Sequence, residues 1–330
     1  MDEQERERLK YLLLGLYFRK GVGEKTITLI YDLTSSLGPV VEKWSFEELQ
    51  YYFRRLPKHR LKQLFHILTD WRNLLNEGRE ISNKLSKKGI QYFLRIELPE
   101  RYHFAKWLFS QGNFSAYKNS TKPFIAIVGT RHPQGSYVHT IEKLLASMQR
   151  LNPVIVSGLA PGIDQTAHEI AIEYGLPAIA VLGYGIEHKD ISRKATTVRN
   201  RILESGGTVL SQFMPRVWAS ARRFLDRNYA IAWLSDAIIP VQGKVPSGTF
   251  STVVKAMKLG KPILCPLTRQ NEEIVTFLRE QKYSNLHVGP EGEAGSVIAE
   301  ILQGNRNTLT TAAEQSTPSR GEQLSLLFPK

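Results

Sequence analysis

Cysteine is nearly absent from this 330-residue chain: its one thiol is Cys265, which excludes a disulfide framework and a cysteine-based metal site. It ends the apolar run Pro262-Ile263-Leu264-Cys265, where a small buried thiol serves packing. Also missing is any uninterrupted apolar segment long enough to cross a bilayer, and the opening residues Met1 to Lys10 are charged. No signal peptide or span is visible, and the cytoplasm is the expected address. Carboxylates are in short supply, with 31 Asp and Glu against 44 Lys and Arg, a net charge of +13 and a pI near 9.7. That balance favours a polyanionic partner, nucleic acid ahead of an anionic membrane surface; no membrane partner is expected. No GxxxxGK(S/T) loop is present, no GxGxxG follows the first apolar strand, and no metal-ligand cluster stands out, so neither metal nor cofactor is expected.

What is present alternates. Apolar runs at 124–128, 154–157, 178–182, 208–211, 237–241 and 262–265 are separated by helical patterns at Thr140 to Gln149, Asp164 to Tyr174, Thr197 to Glu204, Phe224 to Leu234 and Thr252 to Leu259. This predicts an α/β fold over residues 122–303, a parallel sheet with helices on both faces. The first run closes on Gly129-Thr130-Arg131, and the second on Ser157-Gly158, which leads through Gly162 into a helix carrying Asp164 and His168. Glycine lets backbone approach a ligand, and strand ends that feed helix starts aim N–H groups and helix dipoles into one crevice. A phosphate-binding crevice is expected.

These stretches carry a resemblance. VGTR at 128–131 and SGLAPGIDQTAH at 157–168 resemble the signature of the DprA/Smf family of single-strand DNA-binding proteins, and further matches follow in the family's order: Gly206-Gly207-Thr208-Val209-Leu210-Ser211, Phe224-Leu225-Asp226-Arg227-Asn228 and Ser247-Gly248-Thr249. The resemblance spans most of 108–265. It implies an extended Rossmann-like core, single-stranded DNA as ligand, a homodimer formed through that core, and a role in protecting strands and loading RecA recombinase. Three departures stand out. Pro161 replaces the family's basic residue in SGLA(K/R)GID, removing a charge and a backbone donor. Tyr229 ends what is RNR in the family, and its ring, if exposed, would offer a base about 1–3 kcal/mol of stacking. Gly183 to Ala195 lacks the family's tyrosine-proline element.

Arg131 follows the first strand and is placed to fork onto a phosphate held by the Gly129 and Thr130 turn. Ser157 and Gly158 are expected to add hydroxyl and backbone donors, and Asp164 and His168 to act as supports, the former closing turn N–H groups and the latter hydrogen-bonding within the core. Arg223 and Arg227 are four apart on one helical pattern with Asn228 beside them, so a strand's phosphates could run past; Ser247, Gly248 and Thr249 open another helix as a further anion site, with Lys244 in the preceding turn. The related LOG-type nucleotide phosphoribohydrolases use PGGxGTxxE, whose glutamate takes part in hydrolysis. The stretch here is Pro246-Ser247-Gly248-Thr249-Phe250-Ser251-Thr252, and a Thr252 hydroxyl cannot replace a carboxylate as general base. Binding without chemistry is the expectation; a nucleotide-binding or nucleotide-hydrolysing protein in signalling or defence is the alternative.

The flanks read differently. Residues 1–75 form a helical domain with apolar faces at Leu9, Leu12, Leu13, Leu16 and Tyr17 and at Leu61, Leu64, Phe65, Leu68 and Trp71. Between them, Lys20-Gly21-Val22-Gly23-Glu24-Lys25 resembles the helix-hairpin-helix turn, which holds a DNA phosphate on backbone N–H groups, or serves simply as a helical connection. The basic cluster from Arg54 to Lys62 reads as a solvated surface. Residues 76–121 are an extension packed on the core, with 87–94 a basic turn into a strand. Residues 304–322, poor in large apolar side chains, read as a flexible linker. The tail 323–330 carries Gln323, Leu324, Leu326, Leu327 and Phe328, which resemble a motif for the bacterial sliding clamp. A clamp-tethered adaptor is thus a further alternative.

Overall fold

In the computed structural model, which describes residues 1–19, 22–37, 45–54, 56–190 and 192–303, nine strands join one sheet: β1 (Ile90–Leu94), β2 (Trp107–Gly112), β3 (Phe124–Val128), β4 (Val154–Ser157), β5 (Ala178–Val181), β6 (Thr208–Ser211), β7 (Ala237–Pro240), β8 (Ile263–Pro266) and β9 (Leu286–Gly289). Their order is β1-β2-β6-β5-β4-β3-β7-β8-β9. All pairings from β6 to β9 are parallel, while β1–β2 and β2–β6 are antiparallel. The six strands expected from the apolar runs are present. The segment expected as an extension on the core instead supplies two strands of the sheet itself, with Tyr92 stacked on Phe109 across the β1–β2 pair at 4.6 Å; β9 was not expected at all.

Helices α1 (Glu3–Phe18), α2 (Glu24–Leu37), α3 (Phe46–Tyr52), α4 (Lys58–Thr69) and α5 (Trp71–Ser86) precede the sheet. Further helices are α6 (Ser115–Lys118), α7 (Tyr137–Met148), α8 (Ile163–Glu173), α9 (Arg193–Glu204), α10 (Ala221–Leu234), α11 (Gly248–Lys258) and α12 (Glu272–Glu280), with a last helical stretch at 294–303. Alternation along β3 sorts the helices into layers, since successive side chains point to opposite faces. Phe124, Ala126 and Val128 join a core with Ala230, Ile231 and Leu234 of α10 and Val253 and Ala256 of α11. Ile125 and Ile127 join one with Ile141, Leu144 and Leu145 of α7 and Ile163, Ala167 and Ile170 of α8. Both faces are covered, so β3 is apolar and buried along its whole length.

The N-terminal helices extend the second layer. α1 is capped by reciprocal bonds between Asp2 and Glu5 of 2.8 and 2.9 Å, and it lies so close to α5 that a Cβ on Gly15 or Gly78 would overlap the other helix's backbone. Leu9, Leu13, Leu16, Leu61, Leu64 and Leu74 share one core cluster with Tyr92, Phe109 and Val209 of the sheet. The boundary expected at residue 75 falls inside α5. Of the expected helix-hairpin-helix turn, Lys20 and Gly21 lie outside the described residues; Gly23 stands in open space, and Glu24 opens α2 with a carboxylate. Arg54, Lys58, His59, Arg60 and Lys62 are exposed. The linker at 304–322 and the peptide at 323–330 lie outside the described residues.

Candidate functional site

The sheet grows in both directions from β3: β4 lies on one side, β7 on the other. α7 and α11, which follow β3 and β7, cover opposite faces, so a crevice opens where their connections diverge beyond the strand ends. A cleft of about 380 Å³ lies there, lined by Gly129, Thr130 and Arg131 after β3, by Phe224, Arg227 and Asn228 of α10, and by Ser247, Gly248, Thr249 and Thr252 at the start of α11. The sequence-expected residues Gly129, Thr130, Arg131, Arg227, Asn228, Ser247, Gly248 and Thr249 are thereby brought together.

Packing dictates the small residues at its edge. A Cβ on Gly129 would overlap the Ile163 side chain, which is how α8 approaches the end of β3. Gly162, at φ +82°, takes a left-handed conformation that favours glycine, and its N-terminal turn is tied down by the Ile163 N–H donating to the Thr130 carbonyl at 3.2 Å. The Thr130 N–H donates to the Gln242 carbonyl at 2.9 Å and its hydroxyl oxygen accepts from the His132 N–H at 3.2 Å. The turn after β3 is thus held by its own neighbours, and its free group is the Arg131 side chain.

Arg131 is exposed and has no carboxylate partner among the described residues. Its guanidinium lies 5.1 Å from the centre of the Phe224 ring, a cation–π contact that orients it without neutralising it. Across the cleft, Ser247 caps α11 by accepting the Phe250 N–H at 3.0 Å. The preceding N–H groups of Gly248 and Thr249 have no acceptor among the described residues, as expected of a first helical turn, and a Cβ on Gly248 would meet nothing. Asn228 bridges the two walls, its Nδ2 donating to the Gly248 carbonyl at 3.2 Å. Thr249 is buried, with its hydroxyl 3.5 Å from the Gln242 carbonyl. Lys244 is exposed and lies outside this cleft, in a neighbouring hollow with Arg269 and His132.

The turn after β4 is different. Ser157 is fully buried and donates to the Ile127 carbonyl at 2.6 Å; Gly158 donates to Asp164 Oδ2 at 3.2 Å, as Ala160 does at 3.4 Å. Where the sequence reading expected donors for a ligand, these groups are committed within the protein. A Cβ on Gly158 would overlap the Arg227 guanidinium, so glycine here makes room for an arginine. Arg227 is 3 % exposed, its Nη1 3.6 Å from Asp164 Oδ2 and 3.4 Å from the Val181 carbonyl. Burial pulls its pKa down against the attraction of Asp164, with the nearby Arg131 charge adding to the drop. Burial raises the Asp164 carboxyl, opposed by Arg227 and the Ala160 N–H. His168 is fully buried; burial pushes its pKa down to about 3. The Ser157 backbone is the polar neighbour that works against that drop, within the core as expected for this residue.

Two further residues stand elsewhere. Arg223 shares Arg227's side of α10 but turns away, donating to the Trp218 carbonyl at 3.0 Å and lying 3.7 Å from Glu24 of α2. Tyr229 faces Phe104 and Trp107 in a separate hollow and cannot stack on a base lying in the cleft. Unforeseen was Phe224, the ring between two guanidinium groups at 5.1 and 5.9 Å. Its place at the head of the family-like stretch Phe224 to Asn228, between Arg223 and Arg227, was the available signal.

Comparison with known proteins agrees with this architecture. The family model for DNA recombination-mediator protein A matches residues 91–279, more than half of the chain. DNA processing protein DprA of Streptococcus pneumoniae is 32% identical over 167 residues, 51% of this chain and 57% of the relative. Protein Smf of Escherichia coli is 33% identical over 180 residues, 53% and 46% of the two. The chain thus spans about half the length of the curated relatives it matches. Among solved structures, DprA of S. pneumoniae superposes with a TM-score of 0.65 at 23% identity, covering 91% of this chain and 99% of that one. DprA of Helicobacter pylori, described for its single-stranded DNA binding mode, superposes with a TM-score of 0.54 at 23% identity, covering 64% and 97%. The chain belongs to the DNA recombination-mediator protein A family.

Proposed function

We propose that this protein binds single-stranded DNA along the cleft at the β3–β7 divide and acts as a recombination mediator. The observation that carries the reading is Arg131: an exposed, unneutralised guanidinium, oriented by Phe224, that faces the open N-terminal turn of α11. A phosphate between them would meet a bidentate cation on one side and backbone N–H groups on the other. Nothing in that arrangement reads a base edge, so binding follows the backbone. The net charge of +13 adds long-range attraction, and the H. pylori relative is a single-strand binder. Protection of the strand, dimer formation and RecA loading rest on family membership alone. The clamp role of Gln323 to Phe328 rests on sequence alone; deleting 323–328 without change in clamp binding would remove it.

The same cleft is poorly equipped for hydrolysis. The carboxylate among its lining residues, Asp164, is buried and occupied by turn N–H groups and Arg227. Thr252 is buried, its hydroxyl 3.4 Å from the Gly248 carbonyl, so neither is free to activate water.

Fluorescence anisotropy over a salt series, with labelled single strands and matched duplexes, tests the reading. Single-strand binding should exceed duplex binding, fall steeply with salt, and weaken in Arg131→Ala. If neither nucleic acid binds, the reading fails and free nucleotides become the ligands to screen.

A further inference from the structure

Away from the cleft the most exposed large apolar side chain among the described residues is Trp218, 75 % accessible. It stands on a lip formed by the loops after β5 and β6, the first of which belongs to the stretch Gly183 to Ala195 that departs from the family pattern. An exposed indole on a mobile loop would mean little, but this lip is braced. The Gly185 N–H donates to the Val217 carbonyl and the Glu187 N–H to the Pro215 carbonyl, both at 2.8 Å. A Cβ on Gly185 would overlap the Met214 carbonyl, so the two loops lie in direct contact. Arg199 fastens the first loop from beneath, with Nη2 donating to the Ile186 carbonyl at 2.9 Å and Nη1 3.2 Å from Asp190.

The indole itself is propped. His188 meets it edge-on at 4.8 Å, and buried Tyr184 backs His188 at 5.6 Å while donating to Asp190 at 2.9 Å. Exposure of one ring alone would mean little, but an indole fixed in water on a rigid support is preorganised for a flat apolar partner. The surroundings decide for what. Arg216 and Arg223 are paired to Glu187 and Glu24, but Lys189 beside His188 and Arg222 at the start of α10 are exposed and have no carboxylate partner among the described residues. The lip is also continuous with the cleft: Arg223 holds the Trp218 carbonyl at 3.0 Å, and the next residue, Phe224, lines the cleft.

We propose that Trp218 is a stacking platform for a nucleobase of the strand that leaves the cleft across the start of α10, with Arg222 and Lys189 at its phosphates. The proposal rests on the reading of the cleft as a strand-binding site and adds a base-contacting residue to it. A ring flanked by cations suits a base on a polyanion, because every base has a π face while its backbone needs the charge. The platform therefore contributes affinity without sequence choice.

The test uses the full chain and two labelled strands of equal length, oligothymidylate and an abasic deoxyribose-phosphate strand. Trp218→Ala should weaken oligothymidylate binding by about 5- to 150-fold, the span set by stacking one base. It should leave abasic binding and the salt slope unchanged, since no charge is removed; Trp218→Phe should retain most of the affinity. Indole emission should be quenched by oligothymidylate and not by the abasic strand. Arg131→Ala should weaken both strands alike. If Trp218→Ala matches the native protein on oligothymidylate while Arg131→Ala weakens it, the platform is overturned and the cleft stands. If Trp218→Ala weakens both strands equally, or alters only the sedimentation of the protein, the indole is a protein contact and the proposal falls. If the native protein binds neither strand, both readings fall together.

Discussion

The turn after β3 and the turn after β4 are made of the same parts: a buried strand, small residues, and a helix beyond. One presents Arg131 to solvent; the other is stoppered by Arg227, whose guanidinium occupies the space a side chain at Gly158 would need. The difference lies in what arrives from α10. At the first turn α10 contributes Phe224, a ring that supports a cation without neutralising it. At the second it contributes a charge whose counterion, Asp164, already holds the turn's N–H groups. Backbone N–H groups are spoken for in both turns, and what separates them is that only the first leaves a guanidinium in solvent.

Breaking the sealed turn should cost stability, while altering the open one should cost binding. The largest effect is expected with acid. His168 is held neutral with a pKa near 3 against an ordinary 6.5, so its contribution is complete above pH 6.5 and lost as pH falls toward 3. In urea titrations across that window the native protein should lose up to about 5 kcal/mol relative to His168→Leu. Burial-raised Asp164 works in the opposite sense, which is why the two proteins are compared with each other rather than with a fixed value.

Next comes Asp164→Ala, which leaves Arg227 buried without its counterion and should lower unfolding free energy by about 3–5 kcal/mol. Gly158→Ala forces Arg227 from its seat by overpacking and should cost about 1–3 kcal/mol in the same assay. Smallest in stability is Arg131→Ala, within about 0.5 kcal/mol of the native protein, although it should lower the slope of log affinity against log salt by about one. A stability loss at Arg131 comparable to that at Asp164 would erase the distinction between the two turns.

The N-terminal region offers a milder form of the same lesson. Its apolar periodicity predicted helices, but not that Leu9, Leu64 and Leu74 would share a core with Tyr92 and Phe109. Likewise Gly15 and Gly78 gave no sign in the sequence of the close α1–α5 approach that requires them.

Local pattern was enough for the parts of the molecule whose energetics are local. Runs such as Phe124 to Val128 are apolar on consecutive positions because both faces of a parallel sheet are covered, and that can be read without knowing the neighbours. Gly129-Thr130-Arg131 and Ser247-Gly248-Thr249 announced helix-leading turns. Tertiary structure alone decided which turn stays open. Arg223 and Arg227 are equivalent by helical spacing, yet one reaches Glu24 and the other is driven beneath the sheet's end against Asp164. β9, where burial is only partial along the strand, lacked a strong apolar run and became visible only through its pairing with β8. Burial of a segment is encoded by the segment, whereas the state of a charge depends on which partner, remote in sequence, comes within a few ångströms of it.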